Sequence, residues 1–286
     1  MKAETARPLP VQEAAPSSRP GIITRGQASG FQGWQARAKK ALRIVSPLLL
    51  LLLWELLSRT GILDRRFFPP PTELVASAQA MFADGSLLAS TKDSLRRLAI
   101  GYVSGAMLGI AVGLWLGLSS WSRALFEPWL IVTYPIPKLA LFPLLVLIVG
   151  LGEPPIIILL AIAVFYVVAI NLIAGVLAIR PVILDVGRDC GAGFWQLVRT
   201  VALPASLPHI MTGLEISMGI AYIVLIAAEF VGAKSGLGSV IWSSWQLFDV
   251  APMYVSIVTI SVLGYGSVMA LRYLAQFLMP WQKKVL

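Results

Sequence analysis

One lysine of this sequence lies deep within an apolar stretch. Lys138 follows Pro135 and Pro137 in the stretch 124–150, about 14 residues from its start and therefore ~20 Å along a helix. A charge at that depth costs at least ~2.5 kcal/mol and is expected to face the protein interior or a solute path. Two interpretations stay open: a buried ion pair that fixes packing, or a cation that attracts an anionic solute.

Two glutamates are the candidate partners of this lysine. Glu215 lies early and Glu229 late in another apolar stretch, 208–231. The prolines remove backbone donors and kink a helix, and irregular backbone at membrane depth is tolerated only beside protein or a water-filled cavity. We therefore predict a translocation path that is formed by Pro135, Pro137, Lys138, Glu215 and Glu229.

The residue types that an enzyme needs are scarce. Cys190 and His209 are the only cysteine and histidine among 286 residues, which argues against a disulfide framework and against a Cys/His metal site. An intramembrane enzyme needs clustered nucleophiles, acid–base pairs or metal ligands on facing helices. The sequence also lacks the G-x-x-x-x-G-K-[ST] loop that cradles nucleotide phosphates. We expect no enzymatic activity, no metal and no cofactor in this chain.

The composition is that of a protein that crosses a membrane several times. Hydrophobic residues make up 57% of the chain, charged residues 13%, and the mean hydropathy is +0.80; soluble domains carry about 25% charged residues. The net charge of +9 forms no basic stripe, so no nucleic-acid partner is expected. Because a spanning helix needs about 20 apolar residues, we predict an all-α, polytopic protein with six transmembrane helices, near 42–60, 96–118, 124–150, 155–178, 208–231 and 253–279.

The apolar stretches divide the chain into four parts. Residues 1–43, rich in Pro and Gly, are predicted to be a disordered basic tail, and residues 44–60 an uncleaved first transmembrane helix. Residues 61–95 are too polar to cross and are predicted to be a periplasmic or interfacial segment, followed by a five-helix core, 96–281. An N-terminus inside the cell places most Lys and Arg residues on the cytoplasmic side, so both termini are predicted to be cytoplasmic.

Five glycines recur at every fourth position of the second span. Residues four apart lie on one face of a helix, where glycines let another backbone approach closely. We interpret this face as a helix-packing surface, which consists of Gly101, Gly105, Gly109, Gly113 and Gly117.

The segment between the fourth and fifth spans is amphipathic and is interrupted once, at Gly191. Residues 182–204 are compatible with two short helices, and Pro204 closes the segment before the fifth span. The pattern alone leaves two possibilities: a helix–turn–helix that takes up a push from a soluble partner, or an amphipathic helix on the membrane surface.

The same segment resembles the EAA loop of ABC importer permeases, written E-A-A, three residues, Gly, nine residues, Ile, one residue, Leu-Pro. Asp185 stands in place of the Glu, and Val186 and Gly187 stand in place of the two alanines. Val201 stands in place of the Ile. The residues that the resemblance assigns to coupling with an ATPase are Asp185, Val186, Gly187, Arg188, Gly191, Val201, Leu203 and Pro204.

The resemblance covers about 61–281 and is to the nitrate/sulfonate/taurine subgroup of these permeases. That subgroup often has a basic residue early in the fifth span, where this chain has Glu215. The motifs that carry the resemblance are 68–73 (FPPPTE), 94–97 (SLRR) with Gly101 and Tyr102, 135–144 (PIPKLALFPL), 228–230 (AEF) and 236–238 (GLG).

The resemblance implies a permease subunit of the type I ABC importer fold, with a cytoplasmic coupling helix, in the bacterial inner membrane. Such a subunit pairs with a second copy, lies in membrane lipid, docks two ATPase subunits that bind ATP and Mg²⁺, and receives solute from a periplasmic or lipid-anchored binding protein. The implied function is import of a small anion such as nitrate, a sulfonate or taurine by alternating access. The alternatives are a secondary transporter, which also uses broken helices, and an energy-coupling membrane subunit.

Overall fold

The computed structural model describes the backbone of residues 28–281, and the regular elements in that range are all helices. The side chains of residues 28–41, 43, 44 and 188 are outside the description. A 3₁₀ turn, Lys138–Leu141, precedes α5, and a π-helical turn, Val198–Ala202, joins α8 to α9. The α-helices are α1 (Ala28–Arg59), α2 (Pro71–Ala83), α3 (Ser86–Leu118), α4 (Ser120–Thr133), α5 (Phe142–Val149), α6 (Glu153–Leu177), α7 (Pro181–Asp189), α8 (Phe194–Leu197), α9 (Leu203–Gly232), α10 (Leu237–Gln246) and α11 (Val250–Leu278).

The chain divides into two units, residues 1–53 and 54–286. In the first unit, α1 exposes a run of leucines from Leu48 to Leu53. A helical surface that is apolar on every side is typical of a membrane environment. The second unit contains the helix bundle and every site described below.

Four of the six predicted spans are long single helices in the second unit, and the count is five if one bent pair of helices is taken as a span. Four helices are long and apolar enough to cross a membrane: α3, α6, α11 and the continuous helix Phe194–Gly232. Helix α4 and the segment Lys138–Val149 are together apolar enough for one broken span or a re-entrant loop, and they meet at a bend of 93° at the prolines that predicted a break. The remaining predicted span, 42–60, lies in α1.

Two helices begin earlier than the apolar stretches do. α1 starts at Ala28 and so includes the end of the predicted tail, 1–43. α3 starts at Ser86, inside the predicted interfacial segment 61–95, where the Asp84 carboxylate accepts the Ser86 N–H at 2.8 Å. Hydropathy marks where a helix enters the membrane, whereas a helix can begin in water before it.

α3 and α6 pack along the predicted glycine face. A Cβ added to Gly105 would lie 2.4 Å from the carbonyl oxygen of Ala161, and one on Gly101 would lie 2.6 Å from the Cβ of Leu160. The other three glycines meet α6 in the same way: Gly109 against Val168, Gly113 against Leu172 and Gly117 against Val176. Glycine at these positions therefore sets the distance between the two backbones.

α9 packs on another side of α6. A Cβ added to Gly175 of α6 would lie 2.5 Å from the Cβ of His209, so the histidine is a packing residue where the two helices meet. Leu159, Val164 and Leu172 of α6 have no exposed surface. α6 is thus the central helix of the bundle, and it positions α3 and α9 relative to each other.

Candidate coupling segment and translocation path

The coupling segment, residues 182–204, forms two helices joined by a tight turn. Gly191 has a φ of +77°, a left-handed conformation that residues with a side chain rarely adopt. The Ala192 N–H donates to the Gly187 carbonyl at 3.1 Å and closes the turn. The interruption in the sequence pattern is therefore a turn in the chain, after which α8 lies beside α7.

α7 lies close against α8 because position 187 has no side chain. A Cβ added to Gly187 would lie 2.8 Å from the Cδ1 of Leu197. Leu197 and Val198 are buried, at 5% and 6% exposure. These contacts hold the two helices of the coupling segment together as one element.

The π-helical turn joins this element to α9 without a break. Pro204 has no N–H to donate to the carbonyl four residues earlier, so a regular α-helical pattern cannot pass through it. The Leu203 N–H instead donates to the Val198 carbonyl, five residues back, as in a π-helix. The helix therefore continues from Phe194 to Gly232, and the coupling segment is continuous with the fifth span.

The coupling segment has an exposed apolar surface. Val182 and Trp195 are 69% and 72% exposed, and Ile183 and Val186 are also exposed. The rings of Phe194 and Trp195 meet edge to face, with their centroids 5.7 Å apart. An exposed apolar patch of this kind is typical of a surface that binds another protein or the membrane.

The Lys138 ammonium lies at the bend of the broken span and is held by backbone oxygens. It donates to the carbonyls of Tyr134 at 2.7 Å, Ile136 at 3.0 Å and Thr133 at 3.2 Å. An ammonium has three N–H donors, and three carbonyls use them. Pro137 has no N–H for the Thr133 carbonyl, which accepts from the Ile136 N–H at 3.3 Å and from the lysine.

Aromatic rings complete the surroundings of the ammonium. The Tyr166 ring centroid is 4.3 Å from Nζ, and that of Tyr134 is 5.7 Å away. The Tyr166 hydroxyl lies 2.8 Å from the Thr133 hydroxyl, which keeps the ring in place. The cation–π attraction adds to the carbonyl bonds, while Lys138 itself stays partly exposed.

A buried charge cluster lies where α3, α9 and the start of α10 meet; it consists of Ser94, Arg97, Glu229 and residues 235–238. Glu229 has no exposed surface and Arg97 is 3% exposed. Arg97 Nη1 donates to Glu229 Oε1 at 2.7 Å, and the Ser94 hydroxyl donates to the same carboxylate at 2.9 Å. The two charges are thus paired inside the protein, as a buried pair requires, although Arg97 Nε has no hydrogen-bond partner among the described residues.

Comparison with known proteins decides the family. Residues 105–279 match the family described as binding-protein-dependent transport system inner membrane component. The chain belongs to this family. The permease is 31% identical over 258 residues to the taurine transport system permease protein TauC of Escherichia coli, which covers 88% of this chain and 94% of that protein.

Further relatives are permeases as well. The permease is 29% identical to the putative aliphatic sulfonates transport permease protein SsuC of Bacillus subtilis, over 99% of this chain and 98% of that one. It is 26% identical to the nitrate import permease protein NrtB of Synechocystis, over 67% and 70% of the two chains.

A solved structure of the MetNI methionine ABC transporter, in an inward-facing conformation, has the same fold. Its TM-score is 0.55 at 22% identity, and the match covers 65% of this chain and 94% of that one. The chain is therefore a multi-pass permease subunit of an ABC importer with the type I fold, and not an enzyme, because ATP hydrolysis belongs to separate subunits. This outcome decides against the secondary transporter and the intramembrane enzyme.

The permease pairs Lys138 with neither of the predicted acids. Glu229 pairs with Arg97, and Glu215 pairs with Arg272 at 3.0 Å. The prediction that these glutamates are partners of the lysine is wrong, because the chain bends around the ammonium and three backbone carbonyl oxygens of the bend accept its hydrogen bonds. Of the predicted path, the bend with Pro135, Pro137 and Lys138 remains together.

Sequence reasoning missed Arg97 as the partner of Glu229. Arg97 lies four residues before Gly101 and so continues the face of α3 that packs inward. A charge on that face at membrane depth requires a partner. The four-residue spacing between Arg97 and Gly101 is therefore the signal in the sequence that Arg97 points inward, and Glu229 is an acid that could pair with it.

Proposed function

We propose that the permease works as a homodimer in the bacterial inner membrane, with both termini in the cytoplasm, and imports a small oxyanion by alternating access. Two ATPase subunits, which hold ATP and Mg²⁺, bind the coupling segment, and a solute-binding protein delivers the solute from outside. Family membership supports the ATPase and the binding protein as partners. The Lys and Arg residues around the first span support the orientation.

The observation that carries this proposal is the continuity of the coupling segment with the fifth span. Val182 and Trp195 offer an exposed apolar surface to the ATPase. The unbroken helix Phe194–Gly232 carries a displacement of that surface across the membrane. The proposed coupling residues lie in this segment: Asp185, Val186, Gly187, Arg188, Gly191, Val201, Leu203 and Pro204.

A substitution at the turn tests the coupling role. Gly191→Leu places a branched side chain at a φ of +77°, where the strain of about 1–2 kcal/mol favours a rearranged turn. We expect solute uptake to fall about tenfold or more, since each 1.4 kcal/mol is a factor of ten, while the chain still enters the membrane. Uptake into proteoliposomes and co-purification of the ATPase measure the two effects.

Gly193→Ala is the matched control. Gly193 has a φ of −67°, and a Cβ there meets nothing within 4 Å, so wild-type uptake is expected. Wild-type uptake by Gly191→Leu would contradict the coupling role of the turn.

The proposed solute class rests on two independent observations. The relatives are named for taurine, aliphatic sulfonates and nitrate, whose common group is a planar or tetrahedral oxyanion. Lys138 places a cation at the bend formed by Pro135 and Pro137. An oxyanion that reaches the bend can replace one carbonyl as the acceptor of a Lys138 N–H.

Competition for uptake tests the solute class. Transport of radiolabelled taurine by the complete importer is measured with excess methanesulfonate, nitrate or methionine. Inhibition by at least one of the anions, and none by methionine, is expected. Inhibition by methionine alone would contradict an oxyanion importer.

A further inference from the structure

The first turn of α10 is docked on the buried charge cluster. The Leu237 N–H donates to Ser94 Oγ at 2.9 Å, and the Gly238 N–H donates to Glu229 Oε2 at 2.8 Å. The first N–H groups of a helix have no partner within the helix and carry partial positive charge. The Glu229 carboxylate is therefore both the hydrogen-bond cap and the counter-charge of α10, although it belongs to α9.

The loop before α10 is pressed onto the same ion pair. Arg97 donates to the carbonyl oxygen of Ser235 at 2.7 Å and to its hydroxyl at 2.9 Å. Gly236 has a φ of +110°, and a Cβ there would lie 2.4 Å from Glu229 Oε1. A Cβ on Gly238 would lie 2.7 Å from the Cβ of Glu229. The loop therefore lies directly against the Arg97–Glu229 pair, with no space for a side chain between them. A shift of α10 on α9 would break the hydrogen bonds that join α10 and the loop to this pair and to Ser94.

Glu229 lies at the far end of the helix that begins in the coupling segment. The helix Phe194–Gly232 has 39 residues, which at 1.5 Å per residue is roughly 55 Å. Its first residues belong to the proposed ATPase-binding surface, and its last residues hold α10. One helix thus joins the two ends of the permease, and Glu229 is the side chain by which it holds the next element.

We propose that Glu229 is a positioning residue that fastens α10 to α9, so that α10 moves with the coupling segment. This proposal rests on the proposed function: if the coupling segment is in the cytoplasm, the other end of the helix Phe194–Gly232, which holds α10, is on the outer side, where the binding protein delivers solute. A signal from the loaded binding protein then reaches the ATPase through this attachment, and ATP-driven movement reaches the outer side through it. Glu229 does not contact solute.

Glu229→Gln is the first test. In the complete importer, with its ATPase and binding protein, we expect assembly and ATP hydrolysis without binding protein to be retained. Stimulation of hydrolysis by solute-loaded binding protein is expected to fall about tenfold, within the range typical of coupling between distant sites. Hydrogen exchange should rise in residues 237–246 and not in α3 or α6, which a general loss of stability would not produce.

Glu153→Gln is the matched control. Glu153 pairs with Arg96 and with Arg97, the latter at 3.2 Å, and has no bond to residues 235–238 in the described part of the chain. Glu153→Gln therefore removes one carboxylate that pairs with Arg97 but leaves the hydrogen bonds to α10 unchanged. Near-normal stimulation is expected; equal loss in the two variants would overturn the proposal.

A double variant keeps the proposal testable if Glu229→Gln does not assemble. Arg97→Met with Glu229→Met leaves no unpaired buried charge and is expected to assemble, yet it offers no acceptor to Gly238. Loss of stimulation supports the fastening role, and wild-type stimulation overturns it. A wild-type chain that fails to co-purify with any ATPase would instead count against the proposed function itself.

Discussion

Two charged sites of this permease, Lys138 at the bend and Glu229 in the buried charge cluster, solve the same problem in different ways. Both charges lie in membrane-spanning segments, where bare charge is costly. Lys138 is satisfied by three carbonyls of its own bend and stays partly exposed. Glu229 is satisfied by Arg97, Ser94 and an N–H of α10, and has no exposed surface.

The difference separates a site that can serve a solute from one that can only hold the structure. Carbonyl bonds to an accessible ammonium can be exchanged for bonds to an anion. A carboxylate enclosed by donors from two elements, α3 and α10, has no face left for a ligand, and its loss is felt by both of them and by its own helix, α9. Burial and the origin of the partners, and not charge alone, therefore indicate the role of an intramembrane residue.

The largest effect is expected from breaking the buried pair on one side. Arg97→Met leaves the Glu229 carboxylate unpaired, which costs about 3–5 kcal/mol in a buried pair. The yield of monodisperse protein and its melting temperature in detergent should both fall sharply. The double variant with Glu229→Met should recover most of the melting temperature; a double variant no better than the single one would contradict this account.

A smaller loss is expected from filling the space above the pair. Gly236→Ala adds overpacking of about 1–3 kcal/mol to the strain of its positive φ. Gly85→Ala is the matched control, because Gly85 has a φ of +79° but open space around it, so that it carries only the strain of about 1–2 kcal/mol. A lower melting temperature for Gly236→Ala than for Gly85→Ala is expected, and the reverse order would show that the cluster tolerates a methyl group.

Replacing Lys138 is expected to reduce transport more than stability, in contrast to the substitutions in the buried charge cluster. Lys138→Met removes three hydrogen bonds to backbone carbonyls but leaves no buried charge unpaired, so the melting temperature is expected to fall less than in Arg97→Met. Anion uptake should fall several-fold more than assembly with the ATPase. Lys138→Arg keeps the charge but has a planar donor fork, so partial uptake is expected. Unchanged uptake in Lys138→Met would remove the lysine from the path.

The smallest effect is expected from a carboxylate that caps a helix in water. Hydrogen bonds from the Ser86 side chain and from the Ser86 N–H, at the start of α3, lower the pKa of Asp84. Its stabilising effect is present above the pKa of the unfolded chain and is lost as the pH falls through the lower, folded pKa. The melting-temperature difference between wild type and Asp84→Ala should therefore be small at pH 7 and vanish in acid.

The spans, the packing face and the turn of the coupling segment could be predicted from sequence because each is local. Gly101 to Gly117 repeat at helical spacing, and Gly191 interrupts an amphipathic pattern within a few residues of its neighbours. The bend at Pro135 and Pro137 follows from missing N–H groups. Such features need no knowledge of distant residues.

The partners of the charges could not be predicted in the same way. Arg97 and Glu229 are separated by 132 positions, and their meeting depends on how α3 and α9 pack against α6. The sequence shows which acidic side chains could pair with Lys138, but it does not show which backbone carbonyl oxygens lie near the ammonium. That depends on how the chain bends. The cap that Glu229 gives α10 depends equally on tertiary structure.

The interlocked backbones of α3 and α6 have a consequence for movement. With Ala161 so near Gly105, neither helix can slide or roll past its neighbour without a collision of main-chain atoms. We therefore expect the two helices to move as a single rigid body during transport. Hinges are therefore left to the 93° bend and to the connections between helices, and probes on α3 and α6 should keep a constant separation while probes across the bend do not.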